Sequence, residues 1–179
     1  MTYQSFTARE AQTFRFHVWW LKEFKNRWFA VGVKGKGKQV LTLALDRIQE
    51  VMTDDTIVYY DSDGLTPEWY YKDVIGVTVS ANYKPRNVII QVNSANAPYV
   101  ETKPLHRTQR VIERNEKGIV ISMRVQLNYE LEREILGFGD SMVVLQPRQL
   151  RNRMRKKMED AMLLYNSTDE DVENENPDE

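Results

Sequence analysis

A nine-residue alternation of side chains in the second half constrains this chain of 179 residues more than any other feature. Successive residues of a β-strand point to opposite faces of a sheet, so this period of two predicts a strand with one face in a core. The apolar series is Ile119, Ile121, Met123, Val125 and Leu127, and the residues between them are Val120, Ser122, Arg124 and Gln126. Other segments must therefore supply strands that pair with this one.

The segments around this strand complete a βαββαβ order. Val88–Val92 and Arg107–Arg114 are predicted as strands that precede it, with a helix over Ala95–Thr102 between them. A helix over Glu130–Leu136 and a strand over Met142–Leu145 are predicted to follow it. This order is typical of the split-βαβ or ferredoxin-like fold.

The longest helix is predicted after Pro147. Apolar residues recur there at spacings of three and four, which is the period of an amphipathic helix. This stripe consists of Leu150, Met154, Met158, Ala161, Met162 and Tyr165. The residues after Tyr165 have no such period and are rich in acids, which predicts a disordered acidic tail over 166–179.

The first half is predicted to contain short strands and no long helix. Five segments are rich in β-branched and aromatic residues, namely Thr2–Thr7, Thr13–Trp19, Arg27–Val33, Gln39–Leu45 and Arg47–Thr53. Short strands at this spacing are typical of a small, strongly bent barrel. The sequence thus predicts an α+β protein, with a barrel over 1–72 and a ferredoxin-like domain over 73–165.

The composition excludes several classes of protein. The chain has no Cys, which excludes disulfide frameworks, thiol catalysis and Cys-type zinc sites and fits a reducing compartment. No apolar run approaches the roughly 20 residues of a membrane span, and the first ten residues lack a signal-peptide core. A cytoplasmic protein without a membrane partner is therefore expected.

Charge is distributed unevenly along the chain. All 25 bases but only 19 of the 26 acids precede Ser167, so residues 1–166 carry a formal net charge of +6. Two segments concentrate the positive charge, with Lys22, Lys25, Arg27, Lys34, Lys36 and Lys38 in the first and Arg148, Arg151, Arg153, Arg155, Lys156 and Lys157 in the second. An anionic partner is expected for such a body.

The sequence motifs do not point to catalysis. Residues 32–38 match the GxxxxGK part of a phosphate-binding loop, but Gln39 replaces the required Ser or Thr, and a strand follows instead of a helix. His17 and His106 lie in different halves, without an adjacent nucleophile or metal-ligating cluster. We expect a non-enzymatic protein that needs no metal or cofactor.

Aromatic and basic residues are interleaved over 16–32, a mixture that can clamp a phosphate and stack a base. In a small barrel the alternative is that these aromatics form the core. Strand alternation predicts Trp28 in that core beside Leu21, with Arg27 and Phe29 on the opposite face.

Arg47 lies within an apolar stretch, where a guanidinium needs either a partner or a cavity. Two interpretations stay open at this point. The first is an ion pair with Asp46 or Glu50, and the second is a side chain that faces a binding cavity.

Residues 21–32 and Leu45-Asp46-Arg47-Ile48 resemble the WYL domain of bacterial transcriptional regulators. The signature tripeptide is Trp28-Phe29-Ala30 here, and Thr2–Phe6 resembles the first strand of that domain. The second half resembles the C-terminal extension of the same family in the motifs Ala97-x-Tyr99, His106-x-x-Gln109, Glu130-Leu131, Leu136-Gly137-x-Gly139 and Pro147-x-x-Leu150-Arg151.

This resemblance implies an Sm-like, SH3-type β-barrel followed by a ferredoxin-like domain with a C-terminal helix. Members of the family usually carry an N-terminal winged helix that binds DNA, and the barrel senses an effector such as a nucleotide or a nucleic acid. These 179 residues contain no winged helix, so the chain is expected to be a regulatory fragment or a stand-alone sensor that contacts DNA only through another domain or partner. A homodimer is also expected.

The leading hypothesis is an effector-sensing module that binds a nucleotide or short single-stranded nucleic acid. The expected ligand-binding residues are His17, Lys22, Lys25, Arg27, Phe29 and Arg47. His106, Gln109 and Arg151 are candidates for a secondary or interdomain site, with a purely structural histidine as the alternative. The competing hypothesis is a dimerisation or protein-interaction module that binds no ligand.

Overall fold

Six short strands form the first part of the molecule, in two three-stranded antiparallel sheets with the orders β2-β1-β6 and β3-β4-β5. The computed structural model describes residues 1–37 and 39–174, so Lys38 and the end of the predicted tail, 175–179, lie outside the described residues. The strands are β1 (Thr2–Tyr3), β2 (Gln12–Thr13), β3 (Phe16–Phe24), β4 (Arg27–Lys34), β5 (Val40–Ala44) and β6 (Ile48–Glu50). A short helix, α1 (Pro67–Tyr70), follows them.

The chain divides into two compact units. The barrel unit comprises Met1–Lys72 and Gly76–Val79, and the ferredoxin-like unit comprises Asp73–Ile75 and the residues from Ser80 onward. The predicted α+β class and the order of a small barrel followed by a ferredoxin-like fold are confirmed.

A tight hairpin turn joins β3 to β4 and places Arg27 at the start of β4. Lys25 and Asn26 both have positive φ, 49° and 61°, which is the backbone of a two-residue turn that matches the twist of antiparallel strands. The Asn26 amide also donates a hydrogen bond of 2.7 Å to the Glu23 carboxylate. This local geometry fixes the register in which Phe24 pairs with Arg27.

The prediction that Trp28 belongs to the core is wrong, because its side chain is 51% exposed. Strand β5 covers β4 only from Phe29 to Val33. Trp28 lies one residue beyond that coverage, near the tip of the hairpin, where no described strand other than β3 pairs with it. Leu21 is exposed as well, whereas Val31 is fully buried.

The ferredoxin-like unit is built on a four-stranded antiparallel sheet with the order β10-β7-β9-β8. Its elements are β7 (Arg86–Asn93), α2 (Ala97–Thr102), β8 (Arg110–Asn115), β9 (Gly118–Val125), α3 (Tyr129–Leu136), β10 (Met142–Gln146) and α4 (Arg148–Asn174). In this order the first and third strands of the βαββαβ unit are neighbours at the centre, as the ferredoxin-like fold requires.

The core of this unit forms between one face of the alternating strand β9 and the helices α2, α3 and α4. Ile121 and Met123 are buried on β9, as the alternation predicts, beside Ile90 of β7. Leu131 of α3 and Leu150 of α4 close the same core.

Helix α4 extends to Asn174, nine residues past the end predicted at Tyr165. The sequence from Arg148 to Asn174 contains neither Gly nor Pro, so nothing in it breaks a helix once formed. Leu150 and Met154 are buried in the core, whereas Met162 and Tyr165 on the same stripe are exposed. No helix in the described ranges combines the length and apolarity needed to cross a bilayer.

We predict that Ile121→Ala destabilises the protein by about 2–5 kcal/mol, because it removes a fully buried side chain from the centre of the sheet and leaves a cavity. Val143→Ala is the matched control, since Val143 of β10 is 47% exposed and its truncation should change stability by less than about 1 kcal/mol. Urea unfolding measures both free energies. Equal losses in the two variants would contradict this account of the core.

Candidate ligand-binding site

Arg47 faces a cavity of about 350 Å³ in the barrel unit. It ends a single helical turn, Leu45–Arg47, that connects β5 to β6. The cavity is lined by Gln4, Ser5, Phe6, Ala8, Asp46, Arg47, Ile48 and Gln49. Of the two interpretations of Arg47, the structure therefore favours the side chain that faces a cavity.

Within the residues that the structure describes, the Arg47 guanidinium has an aromatic contact but no counter-ion. Its central carbon lies 4.0 Å from the centroid of the Phe6 ring, a distance at which the ring face attracts a cation. Its Nε is buried without a hydrogen-bond partner, and no carboxylate in the described part of the chain forms an ion pair with it. The ion pair with Asp46 or Glu50 considered above is absent there. An unpaired, partly buried cation favours an anionic ligand.

Asp46 instead pairs with Arg27. Its Oδ2 lies 3.2 Å from Arg27 Nε, and both side chains are about half exposed. Because Asp46 also lines the cavity, Arg27 is linked to the site through that carboxylate. Among residues 1–37 and 39–174, the charge of Arg27 is thus compensated by a carboxylate and that of Arg47 is not.

Hydrogen bonds from Gln4 hold the wall of the cavity in place. Its backbone N–H donates to the Arg47 carbonyl at 3.2 Å. Its side-chain oxygen accepts from Gln49 Nε2 at 3.0 Å, and its own Nε2 donates to the Ala8 carbonyl at 3.3 Å. These bonds connect β1 to β6 and fix the loop that presents Phe6. Sequence reasoning missed Gln4, Phe6 and Gln49, because nothing in their local pattern distinguishes them from other strand and loop residues.

His17 does not belong to this cavity. It pairs with Val33 in the β3–β4 hairpin, whereas Arg27 begins β4 at the other end of the same ladder. Val33 lies six positions after Arg27 along β4, a distance of about 20 Å. His17 is buried and lines a different cavity of about 900 Å³.

The other three residues expected to bind ligand, Lys22, Lys25 and Phe29, also lie outside the lining of the Arg47 cavity. Lys22 Nζ lies 5.0 Å from the centroid of the Tyr71 ring, and Lys25 Nζ lies 5.7 Å from that of Phe24. Phe29 is partly buried between its strand neighbours Lys22 and Ala44.

The two tyrosines near Lys22 remain neutral at physiological pH. Burial, together with the neighbouring Tyr71, raises the pKa of Tyr70 to about 12, and burial also raises the pKa of Tyr71. The Tyr71 ring thus contacts Lys22 as a neutral aromatic face and does not cancel its charge.

The secondary candidates have structural partners within the ferredoxin-like unit. His106 is buried, and its Nδ1 lies 2.8 Å from Thr108 Oγ1. Gln109 accepts from the Leu105 amide at 2.9 Å and donates to the Val100 carbonyl at 2.8 Å, so it ties the loop after α2 to that helix. Arg151 is exposed in the first turn of α4. Within the described residues, no group of three or more His, Asp or Glu side chains is placed to hold a metal ion.

Two family models match this chain, WYL over residues 1–53 and WCX over residues 84–162. A similar solved structure is the proteasome accessory factor B/C (PafBC) of Arthrobacter aurescens, at 15% identity and a TM-score of 0.39. The match covers 92% of this chain and 24% of that chain, so this chain spans about a quarter of its length. No curated protein matches. With a WYL domain that contains the Arg47 cavity and a WCX domain after it, the chain belongs to the WYL-domain regulators.

Proposed function

We propose that this chain is the effector-sensing module of a transcriptional regulator and that it binds an anionic ligand, a nucleotide or the end of a short single strand, at Arg47. The observation that carries the proposal is the unpaired guanidinium in a cavity of about 350 Å³. The matches to WYL and WCX models support a regulatory role and not an enzymatic one.

The size and charge of the cavity define the ligand. A volume of about 350 Å³ is near the lower end of the range for small-molecule sites, which suits one nucleotide unit at a time. Arg47 supplies one uncompensated positive charge for a phosphate. Phe6 is 76% exposed, so its outer face offers a stacking surface for a base.

Binding would control transcription through a change in conformation or association. A ligand shifts such an equilibrium only as far as it prefers one state to the other. The segment most directly coupled to the ligand is β6, since Arg47 precedes it and Gln49 within it lines the cavity. DNA itself would be contacted by a winged-helix domain or a partner, in the cytoplasm.

We predict that Arg47→Ala weakens the binding of a fluorescent single-stranded oligonucleotide or a labelled mononucleotide by about 1–3 kcal/mol, the range for a charge-assisted contact. Arg27→Ala should have a smaller effect, because Asp46 already compensates that charge. Fluorescence anisotropy over a series of salt concentrations measures both losses, and the affinity should fall as salt rises.

Arg15→Ala is the matched control for this experiment. Arg15 is an exposed arginine of the same unit, paired with Asp54 and remote from the lining of the Arg47 cavity. The variant changes the net charge by the same amount as Arg47→Ala. Equal losses in the Arg15 and Arg47 variants would indicate nonspecific attraction and contradict the proposed site.

The exposed end of α4 favours a second candidate function, homodimerisation. Apolar side chains remain exposed past the core, namely Met158, Met162, Leu163, Leu164 and Tyr165. An antiparallel second copy would cover these apolar side chains by packing the same stretch of its own α4 against them.

We predict that Met162→Asp abolishes such a dimer, because it puts a charge into the apolar contact between the helices. Asn152→Asp adds the same charge at an exposed polar position of α4 and should leave the dimer intact. Met162 is more informative than Met154, which is buried in the core of its own unit. Sedimentation velocity distinguishes the outcomes. A protein that is monomeric throughout, or two variants that behave alike, would refute this candidate.

A further inference from the structure

The larger cavity of the barrel unit, about 900 Å³, is separate from the Arg47 cavity and shares no lining residue with it. Its walls come from the start of β3 and from the irregular segment that follows β6. Most of the lining is apolar or aromatic, including Phe14, Phe16, Val18, Val51, Met52 and Ile57. The volume lies within the range of sites that enclose a small organic ligand.

His17 is the polar group best placed to recognise a ligand there. The side chain is only 4% exposed, and it lines the cavity. Its Nδ1 accepts a hydrogen bond of 3.2 Å from the Tyr60 amide. That bond assigns the proton of the neutral imidazole to Nε2, which makes Nε2 a donor.

The Nε2 donor has no acceptor among the side chains and carbonyls of the described ranges. Aromatic contacts hold the ring in position, since its centroid lies 4.9 Å from that of Tyr60 and 5.7 Å from that of Tyr59. Nε2 is therefore available to donate a hydrogen bond to an acceptor atom of a ligand in the cavity.

Hydrogen bonds to β3 tie the wall opposite His17 to the barrel unit. Tyr59 Oη donates to the Val18 carbonyl at 2.7 Å, and Trp19 Nε1 donates to the Tyr60 carbonyl at 2.9 Å. Residues 51–59 therefore form a wall that is anchored at its far end and continuous with β6 at its near end. The cavity is an organised part of the fold.

The charges around this cavity do not attract an anion. Arg15 is paired with Asp54 at 3.5 Å, and Asp55 adds a further acidic side chain to the lining. Hydrogen bonds from Thr56, and more weakly the Arg15 charge, lower the pKa of Asp54, so this carboxylate stays ionised. The ligand chemistry here is thus different from that at Arg47, where the cation is uncompensated.

We propose that the His17 cavity is a second ligand site, which binds an uncharged, mainly apolar or aromatic molecule carrying one hydrogen-bond acceptor for His17 Nε2. The apolar walls supply most of the contact area, and the histidine supplies the polar recognition. This proposal does not rest on the anionic ligand, because the two cavities share no lining residue.

Acetanilide, a neutral aromatic amide with a carbonyl acceptor, is the probe that tests this proposal. Heteronuclear NMR of the full chain during a titration should show saturable shifts of amides in 13–18 and 51–59. Ethylbenzene, which lacks the acceptor, should bind at least about tenfold more weakly. Absence of saturable shifts there, or equal binding of the two compounds, would overturn the proposal.

Two variants locate the site, and a third controls for them. Val51→Trp fills the cavity from its wall, and His17→Phe keeps the ring but removes the donor. Both should raise the dissociation constant of acetanilide by about tenfold or more. Val58 lies in the same segment but is exposed and does not line the cavity. Val58→Trp should therefore leave the dissociation constant of acetanilide unchanged. If His17→Phe does not fold, Val51→Trp still decides, since an affinity equal to that of Val58→Trp would refute the site.

The anionic and uncharged sites can fail separately. Arg47→Ala should not change the affinity for acetanilide, and Val51→Trp should not change the affinity for a nucleotide. A loss of acetanilide binding in Arg47→Ala would show that the probe occupies the Arg47 cavity, and it would overturn the second site while leaving the first in place.

Discussion

The Asp46 carboxylate pairs with Arg27 rather than with the adjacent Arg47, and the chemistry of the barrel unit depends on this choice. In a turn with three residues per revolution, successive side chains point about 120° apart. Asp46 is directed toward the start of β4, where Arg27 lies 3.2 Å away. Arg47 is directed into the cavity instead, where the Phe6 ring is its neighbour. One carboxylate thus neutralises one arginine and leaves the next one able to bind an anion.

The elements that the sequence predicted best are those whose pattern is local. The alternation along β9 depends on a few neighbouring positions, so this strand and the order of the elements around it could be predicted. Trp28 was assigned wrongly because its burial depends on how far β5 extends along β4, which is a property of distant pairing. The end of α4 was predicted too early for a similar reason. The apolar stripe stops at Tyr165, but the helix continues to Asn174 because no Gly or Pro interrupts it.

The candidate site shows the same limit. The interleaved aromatic and basic run pointed to Arg27, and the apolar stretch around Arg47 pointed to that residue. His17 was wrongly grouped with these arginines, because the sequence does not show how β3 and β4 pair. In the structure His17 lies opposite Val33, far from the hairpin turn where Arg27 lies. Phe6 and Gln4 come from an N-terminal loop that only the pairing of β1 with β6 brings beside Arg47. Non-local strand pairing therefore determines which of the candidate residues can share a ligand.

The short strand β6 connects the two cavities and gives a physical basis for coupling between them. Arg47, Ile48 and Gln49 line the smaller cavity, and the residues from Val51 to Asp55 line the larger one. Only Glu50 separates these two sets, so a ligand that shifts β6 on binding would also move the adjoining wall of the other cavity. Coupling between two ligands is reciprocal, and each would change the affinity of the other by the same factor. Salt screens the attraction of an anion to Arg47 but not the apolar contacts of a ligand at His17. The affinity of each ligand can therefore be measured over a series of salt concentrations, with and without a saturating amount of the other ligand. A change caused by the second ligand at every salt concentration is coupling, and a change caused by salt alone is charge screening.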